Sequence, residues 1–439
     1  MQLPVRSFYV ICSFLIRRLI DTLQIYAVRE IALSKTSEKR NLLKIPPVVR
    51  EQFFSPFYKP EPETVHPDLY RDVIDYSTDL ILERLKKYNE DRKRVLKKVK
   101  EKLTIRQAYH DEELAKETLV VSSDAGNNGA EFRSAYAPLY SSVAIATRGW
   151  GIIDEPIKVS GKGELWSSEY RPKERESILA MKLQFDVTLD AARKWGPELI
   201  VFDGSLLLHW GLIPSADGFR TKGYWRDFRD AAVSAMKLLR FCYEGGIAIT
   251  GFVKRTRSTI ISSHIRGLPQ ELKYIRDTVL LDLVLRLGQY TYLEVEHPGG
   301  GVVNQYKIAG KEIGLNAEEV DSLTNLQSTF IRTGLATPYR LETPQYCLKG
   351  LDKIATILFT TSEETGIPFG VNEADNLTKM TNTISNLRSL MLFSKALDLV
   401  DKGEMEPEDL NLLALQYGEP WTLREEGYFQ DVERIQEKG

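Results

Sequence analysis

The stretch Glu198–Leu208, ELIVFDGSLLL, constrains the fold more than any other: an apolar run ends on an aspartate that is followed at once by a glycine. Such a run suits a strand buried on both faces, in a sheet covered by helices, and Gly204 lets the chain turn sharply where the strand stops. Asp203 then stands at a carboxyl-terminal strand edge, where open α/β sheets bind their ligands. Capping of the turn is the competing role for a lone Asp-Gly pair.

The flanking segments set the order of elements. Residues 118–126 (TLVVSSDAG) read as a buried strand carrying Asp124, 134–149 (SAYAPLYSSVAIATRG) as a long second strand, and 152–160 (IIDEPIKVS) as a third. Helical spacing follows over 171–196, with Ile178, Met181, Phe185, Leu189 and Ala192 on one face and Gly196-Pro197 as the stop. The Asp203 strand, a helix over 225–246, a strand over 247–258 and a helix over 275–288 complete a β-β-β-α-β-α-β-α order. Three strands before any helix predict antiparallel pairing, and the later alternation requires parallel crossovers. That is a ribonuclease H-like α/β arrangement: a mixed five-stranded sheet flanked by helices.

Upstream, residues 5–43 and 69–108 look helical, separated by a proline-rich linker, and the segment DRKRVLKKVKEK (91–102) is strongly basic. Its two readings are a solvated helix face and a phosphate-tracking surface. Downstream come strands near 290–298 and 328–344, a helix over 351–361 and a long helical stretch over 373–402. The divisions are therefore 1–116 (helical region with linker), 117–290 (ribonuclease H-like core) and 291–439 (α+β extension). Tyr136, Tyr140 and Trp150 flank the second strand, with core packing as their main role and base stacking as the alternative.

The net charge of −2 announces no global attraction to nucleic acid, although a local patch is compatible with it. Cys12, Cys242 and Cys347 are odd in number and far apart, so neither a disulfide framework nor a metal-ligand spacing arises, and an intracellular, cytoplasmic setting is expected. Five histidines without helical pairing argue against a zinc hydrolase. The N-terminal FYVICSFLI is too short to span a bilayer and lacks a cleavage site, so no membrane partner is expected; it reads as a partly buried helix or a docking surface.

In the ribonuclease H-like order the first and fourth strands are neighbours, which brings Asp124 and Asp203 into one crevice. Two carboxylates held together without a lysine between them call for a cation, and oxygen-only ligation favours Mg²⁺ or Mn²⁺. A third carboxylate is expected from the first turn of the intervening helix, Glu176 or else Glu174. The competing role for either acid is to complement the helix dipole. Lys254 and Arg255 leave the fifth strand at the same edge, either as phosphate contacts or as surface charge. Asp277 either joins the acids or caps its helix.

The motifs SSDAGNN, IVFDGSLL, GFVKRTRS, RDTVLLDLVLRLGQYT and GIPFGVNEAD follow one another in an order that resembles the NurA family, over about Glu117 to Met391. The resemblance implies a metal-dependent nuclease acting on single-stranded DNA as an endonuclease and 5′ to 3′ exonuclease. It further implies Mn²⁺ as cofactor with Mg²⁺ as the alternative, a ring-shaped homodimer, DNA end resection, and a HerA-like hexameric ATPase as partner. Carried over by position, Asp124, Glu176 and Asp203 are the catalytic, metal-binding acids with Lys254 beside them, and Asp375 is a fourth ligand where a histidine is expected. A carboxylate there can bind Mn²⁺ but cannot serve as an imidazole acid at neutral pH. The first motif also reads Asp-Ala-Gly where Asp-Gly-Ser is frequent. The leading expectation is in-line attack of water on DNA phosphorus; the alternative is a non-catalytic toroidal adaptor for a DNA translocase. The N-terminal segment is a candidate contact with the ATPase, with burial in the chain's own core as the competing reading.

Overall fold

The computed structural model describes residues 76–413 apart from 133–134, 168–169, 214–221, 265–267, 269–271, 273–274, 297–299, 336, 363–364, 407–408 and 411–412. The expected N-terminal helix, the proline-rich linker, the docking segment, Cys12 and the charged tail lie outside the described residues. The chain divides into two compact units, Met1–Tyr88 and Asn89–Gly439, and the second holds the sheet.

Helix α1 (Ser77–Lys102) leads through β1 (Thr104–Gln107) and α2 (Glu112–Glu117) into β2 (Val120–Asn127). Short strands β3 (Ala130–Glu131) and β4 (Tyr136–Ala137) precede β5 (Tyr140–Arg148), β6 (Gly151–Ile152) and β7 (Ile157–Ser160). Next come α3 (Pro172–Trp195), β8 (Leu199–Asp203), α4 (Lys222–Glu244), β9 (Ala248–Val253), α5 (Ile260–His264) and α6 (Asp277–Leu281). The remainder comprises β10 (Gln289–Glu296), α7 (Gly300–Glu312), α8 (Ala317–Thr324), β11 (Leu326–Ile331), β12 (Tyr339–Pro344), α9 (Leu351–Thr361), α10 (Phe369–Thr378) and α11 (Asn382–Asp401).

The sheet is mixed and ten-stranded, in the order β1-β10-β11-β12-β9-β8-β2-β5-β6, with β7 also on β5. β2–β5 and β5–β7 are antiparallel, as three successive strands predict, whereas β2–β8 and β8–β9 are parallel, as the later strand–helix alternation requires. Ten strands replace the expected five because β12 pairs antiparallel with β9, so that β12, β11, β10 and β1 continue the same sheet. Prolines account for two further differences. Pro138 divides the long second strand into β4 and β5, and Pro156 separates β6 from β7, since proline cannot donate to the ladder.

Burial explains the apolar runs. Val120–Ser123 and Leu199–Phe202 are buried along their whole length. Ser123 meets Thr188 of α3 through their hydroxyls at 2.7 Å. Its neighbour Ser122 lies against Gly370 of α10. Adjacent strand residues point to opposite faces, so α3 and α10 cover the two sides of β2. On the α3 side Phe185 stacks on Phe202 with ring centroids 4.9 Å apart. Each such side chain contributes about 1.5–3 kcal/mol by burial. A buried ion pair, Arg175 to Asp227 at 2.7 Å, ties α3 to α4. Tyr136 and Tyr140 pack inside, but Trp150 is exposed.

The helical segments differ more from expectation. The stretch over 373–402 is two helices, because α10 stops at Thr378 and α11 restarts behind Thr381, whose side chain accepts from the Ile384 amide. The expected helix over 275–288 is only Asp277–Leu281. Helices α7 and α8 were not anticipated, although an Asn316–Glu319 capping box opens α8. In α1, Val95 and Val99 are buried, as is Leu103 just after it, whereas Ile81, Leu82 and Leu85 are exposed.

The end of α10 presses on β2 so closely that a Cβ at Gly126 would lie 2.0 Å from the Thr378 carbonyl oxygen. Gly126→Ala therefore forces backbone apart, and we predict a loss of about 1–3 kcal/mol in denaturant unfolding. An unchanged midpoint would show that this contact is soft.

Candidate functional site

The parallel register of β2 and β8 pairs Ser123 with Phe202, which leaves Asp124 and Asp203 side by side at the carboxyl ends of both strands. β9 contributes Lys254 one residue beyond its end, and α10 contributes Asp375 from the opposite face. Carboxylate oxygens of Asp124, Asp203 and Asp375 all lie within 4.8 Å of one another. Lys254 Nζ sits 2.6 Å from Asp203 Oδ2 and 3.0 Å from Asp375 Oδ1. Lys254 was expected beside the acids, and the structure sets it against Asp203 and Asp375. Asp124 instead accepts a 2.5 Å hydrogen bond from the Thr378 hydroxyl.

Burial decides the electrostatics. The Asp203 side chain is 7% exposed against 44% for Asp375. Burial and then the Asp124 charge push the Asp203 carboxyl up to about 8, in opposition to Lys254. Burial likewise raises Asp124, opposed by the Thr378 hydrogen bond and the Lys254 charge. Lys254 is lowered by burial, but the Asp203 charge and the bonds to Asp203 and Asp375 outweigh that and hold it above its usual value. One ammonium thus faces three carboxylates whose donors are all oxygen, a set that fits a hard divalent cation.

Glu176 is elsewhere. Its carboxylate is buried and accepts from the Leu139 amide at 2.6 Å, the Tyr136 hydroxyl at 2.9 Å and the Asn127 amide group at 3.0 Å. It ties the end of β2 to the β4–β5 connection and is not among the clustered acids. The alternative, Glu174, pairs with Arg171 at 2.9 Å. The side of α3 that lines the crevice carries Ser177, Ala180, Met181 and Gln184. Asp277 is also apart: its carboxylate accepts from the Ser258 hydroxyl and from the Ile260 and Ile261 amides at 2.8 and 2.9 Å, so it caps α5 and not the helix it begins. Arg255 is exposed beyond Lys254.

Three supporting residues escaped sequence reasoning. Gln184 donates to the Ser123 and Asp203 carbonyls at 3.0 and 2.9 Å, clamping the two strand ends together. Glu342 is buried and accepts from the Ser205 hydroxyl at 2.6 Å and the Leu206 amide at 3.1 Å, fixing the turn after Asp203. Thr378 orients Asp124. Only Glu342 left a signal, an acid among apolar and strand-forming residues of a strand that is buried except at Arg340. Beside the acids a cleft of about 260 Å³ is lined in part by Met181, Phe202, Leu207 and His209.

The family model for the NurA domain matches residues 126–380, more than half of the chain. By fold the chain is similar to the crystal structure of the NurA nuclease from Sulfolobus solfataricus, with a TM-score of 0.53 and 13% identity over 76% of this chain and 98% of that one. It is similar also to a second NurA crystal structure, with a TM-score of 0.52 and 12% identity over 78% and 99%. At these identities the likeness is one of fold. None of the curated proteins matches the chain.

Glu176→Gln tests the role of the buried acid. It sets an NH₂ group among the Leu139, Tyr136 and Asn127 donors, so we predict a loss of about 1–3 kcal/mol in urea unfolding. A metal ligand would behave otherwise, with unchanged stability and lost divalent-ion binding.

Proposed function

The chain belongs to the NurA family, and on that premise we propose that it is a divalent-cation-dependent nuclease that hydrolyses the phosphodiester bonds of single-stranded DNA. The observation that carries the proposal is the group of three carboxylates gathered where β2 and β8 end and α10 meets them, with Lys254 paired to two of them. Asp124, Asp203 and Asp375 would hold the cation, with Glu176 as a positioning residue and not a direct ligand. When bound, the cation supplies neutralisation of the acids and polarisation of the phosphoryl group toward a water oxygen, with manganese favoured over magnesium by the family resemblance.

The chain's own residues do the rest. Lys254 keeps Asp203 and Asp375 together, Thr378 turns Asp124 toward them, and Gln184 prevents the strand ends from separating. Water attacks phosphorus and gives up a proton to solvent, while the sugar oxygen on the far side leaves and takes one up from solvent as its hydroxyl forms. The adjoining cleft takes the sugar or base of the nucleotide next to the broken bond, against Met181, Phe202 and Leu207. Lys254 and Arg255 face the phosphate. The ribonuclease H-like reading rests on the strand order β7-β5-β2-β8-β9.

The finer features are part of the same proposal: combined endonuclease and 5′ to 3′ exonuclease action, DNA end resection beside a HerA-like hexameric ATPase, a homodimer and a cytoplasmic setting. The exposed Leu387, Leu390 and Met391 of α11 support a dimer surface. Among the described residues no helix is long and apolar enough to cross a membrane. One observation favours the second reading, a DNA-binding adaptor without activity: the crevice side of α3 presents no carboxylate among the lining residues.

Labelled single-stranded DNA with Mn²⁺, Mg²⁺ or chelator separates the two. We predict cleavage with an ion and none with chelator. Asp124→Asn and Asp203→Asn should each lose at least about 100-fold in rate, roughly 2.7 kcal/mol, with circular dichroism unchanged. Binding without cleavage in any ion would select the adaptor, and cleavage in excess chelator would contradict the metal site.

A further inference from the structure

The acidic crevice is poorly suited to attract a polyanion, yet cations gather to one side of it. Residues 93–102 of α1 hold six lysines and arginines and one acid, Glu101, in a chain of net charge −2. Lys93, Lys97 and Lys100 are exposed and, at spacings of four and three, share one face about 10 Å long. None of them makes an ion pair among the described residues. Like charges also stand four apart at Lys93/Lys97, Arg94/Lys98 and Lys98/Lys102, an arrangement that destabilises an isolated helix. The helix dipole accounts for the last turn but not for Lys93 to Lys98.

The sheet connects this face to the crevice. Counting through the registers, β9 ends where β12 begins, β11 ends, β10 begins and β1 ends, so all share one end of the sheet with Asp203. α1 approaches that end where Arg92 donates to the Val279 carbonyl of α6 at 3.1 Å. Between lie Arg255 and Arg257 after β9, Arg276 before α6 and Arg286 before β10, all exposed and without an ion pair among the described residues. From β8 to β1 is five strand spacings, roughly 24 Å.

We propose that these arginines and the Lys93–Lys97–Lys100 face form a phosphate track that carries a nucleic-acid strand away from the crevice, an inference that rests on the nuclease reading above. A strand stacked at about 3.4 Å per nucleotide needs about seven nucleotides to cover the distance. A membrane surface is the poorer occupant, because the exposed face of residues 93–102 carries no aromatic or leucine side chain to insert.

The test is binding of fluorescent oligothymidylates of about 6 and about 20 nucleotides to the full chain, in chelator and over a salt series, the two lengths standing either side of the track. Wild type should bind the longer strand on the order of tenfold more tightly. The Lys93→Gln/Lys97→Gln/Lys100→Gln variant should lose most of that advantage, and its slope of log K against log salt should fall by about two. The corresponding triple Glu variant should lose it entirely. An unchanged slope and advantage in the Gln variant would overturn the inference. So would loss of binding to phosphatidylserine vesicles with DNA binding intact. Because no bond breaks in this assay, a protein that shows the length advantage but never cleaves keeps the track and loses only the nuclease reading. A protein that cleaves without any length advantage does the reverse.

Discussion

Asp203 is buried beside Asp124, and one lysine offsets it; the rest of the architecture is arranged around that electrostatic problem. The acids come from parallel strands, the lysine from the next strand and Asp375 from a helix on the opposite face. No single element contains the site, so it exists only when the sheet is complete. Burying like charges together is costly, and removing one partner of such a group leaves an uncompensated charge. The same cost makes the crevice receptive to a divalent cation, which relieves repulsion that Lys254 only partly offsets.

Much of this was legible in the residues. An apolar run ending on Asp203 and a strand pattern closing on Asp124 marked two buried strands, and the order of elements made them neighbours. Lys254 and Asp375 were legible as positions but not as an ion-paired unit. Glu176 differs from its expected place for a physical reason: first-turn acids look alike in sequence, and this one is held by donors from Leu139, Tyr136 and Asn127, outside the group of Asp124, Asp203 and Asp375. Those donors depend on how Pro138 bends the chain, which is tertiary information. The break after Thr378 was less hidden, since Thr381 is a helix-capping residue whose side chain accepts from the Ile384 amide and restarts the chain as α11. The extra strands β10, β11 and β12 were visible singly, but their antiparallel attachment to β9 was not.

The near-neutral net charge conceals a separation of charge. Acids converge at the centre of the sheet, while Arg276, Arg286, Lys93, Lys97 and Lys100, which make no ion pair among the described residues, stand toward its β1 edge. An acidic pocket repels a nucleic-acid backbone until a cation occupies it, whereas a basic flank retains the strand regardless. The two features would complement each other in a protein that both holds and cuts a strand, and the lysine face of residues 93–100 lies outside the part of the chain that the family model matches, whereas Arg255, Arg257, Arg276 and Arg286 lie within it.

The central claim is that Asp124, Asp203 and Asp375 together hold a divalent cation. Calorimetric titration of the full-length chain with Mn²⁺, in wild type and in Asp203→Asn, addresses it without any reaction. The account predicts saturable binding to the wild type that disappears in the variant while its fold is retained. Equal binding by both, or none by the wild type, would contradict it.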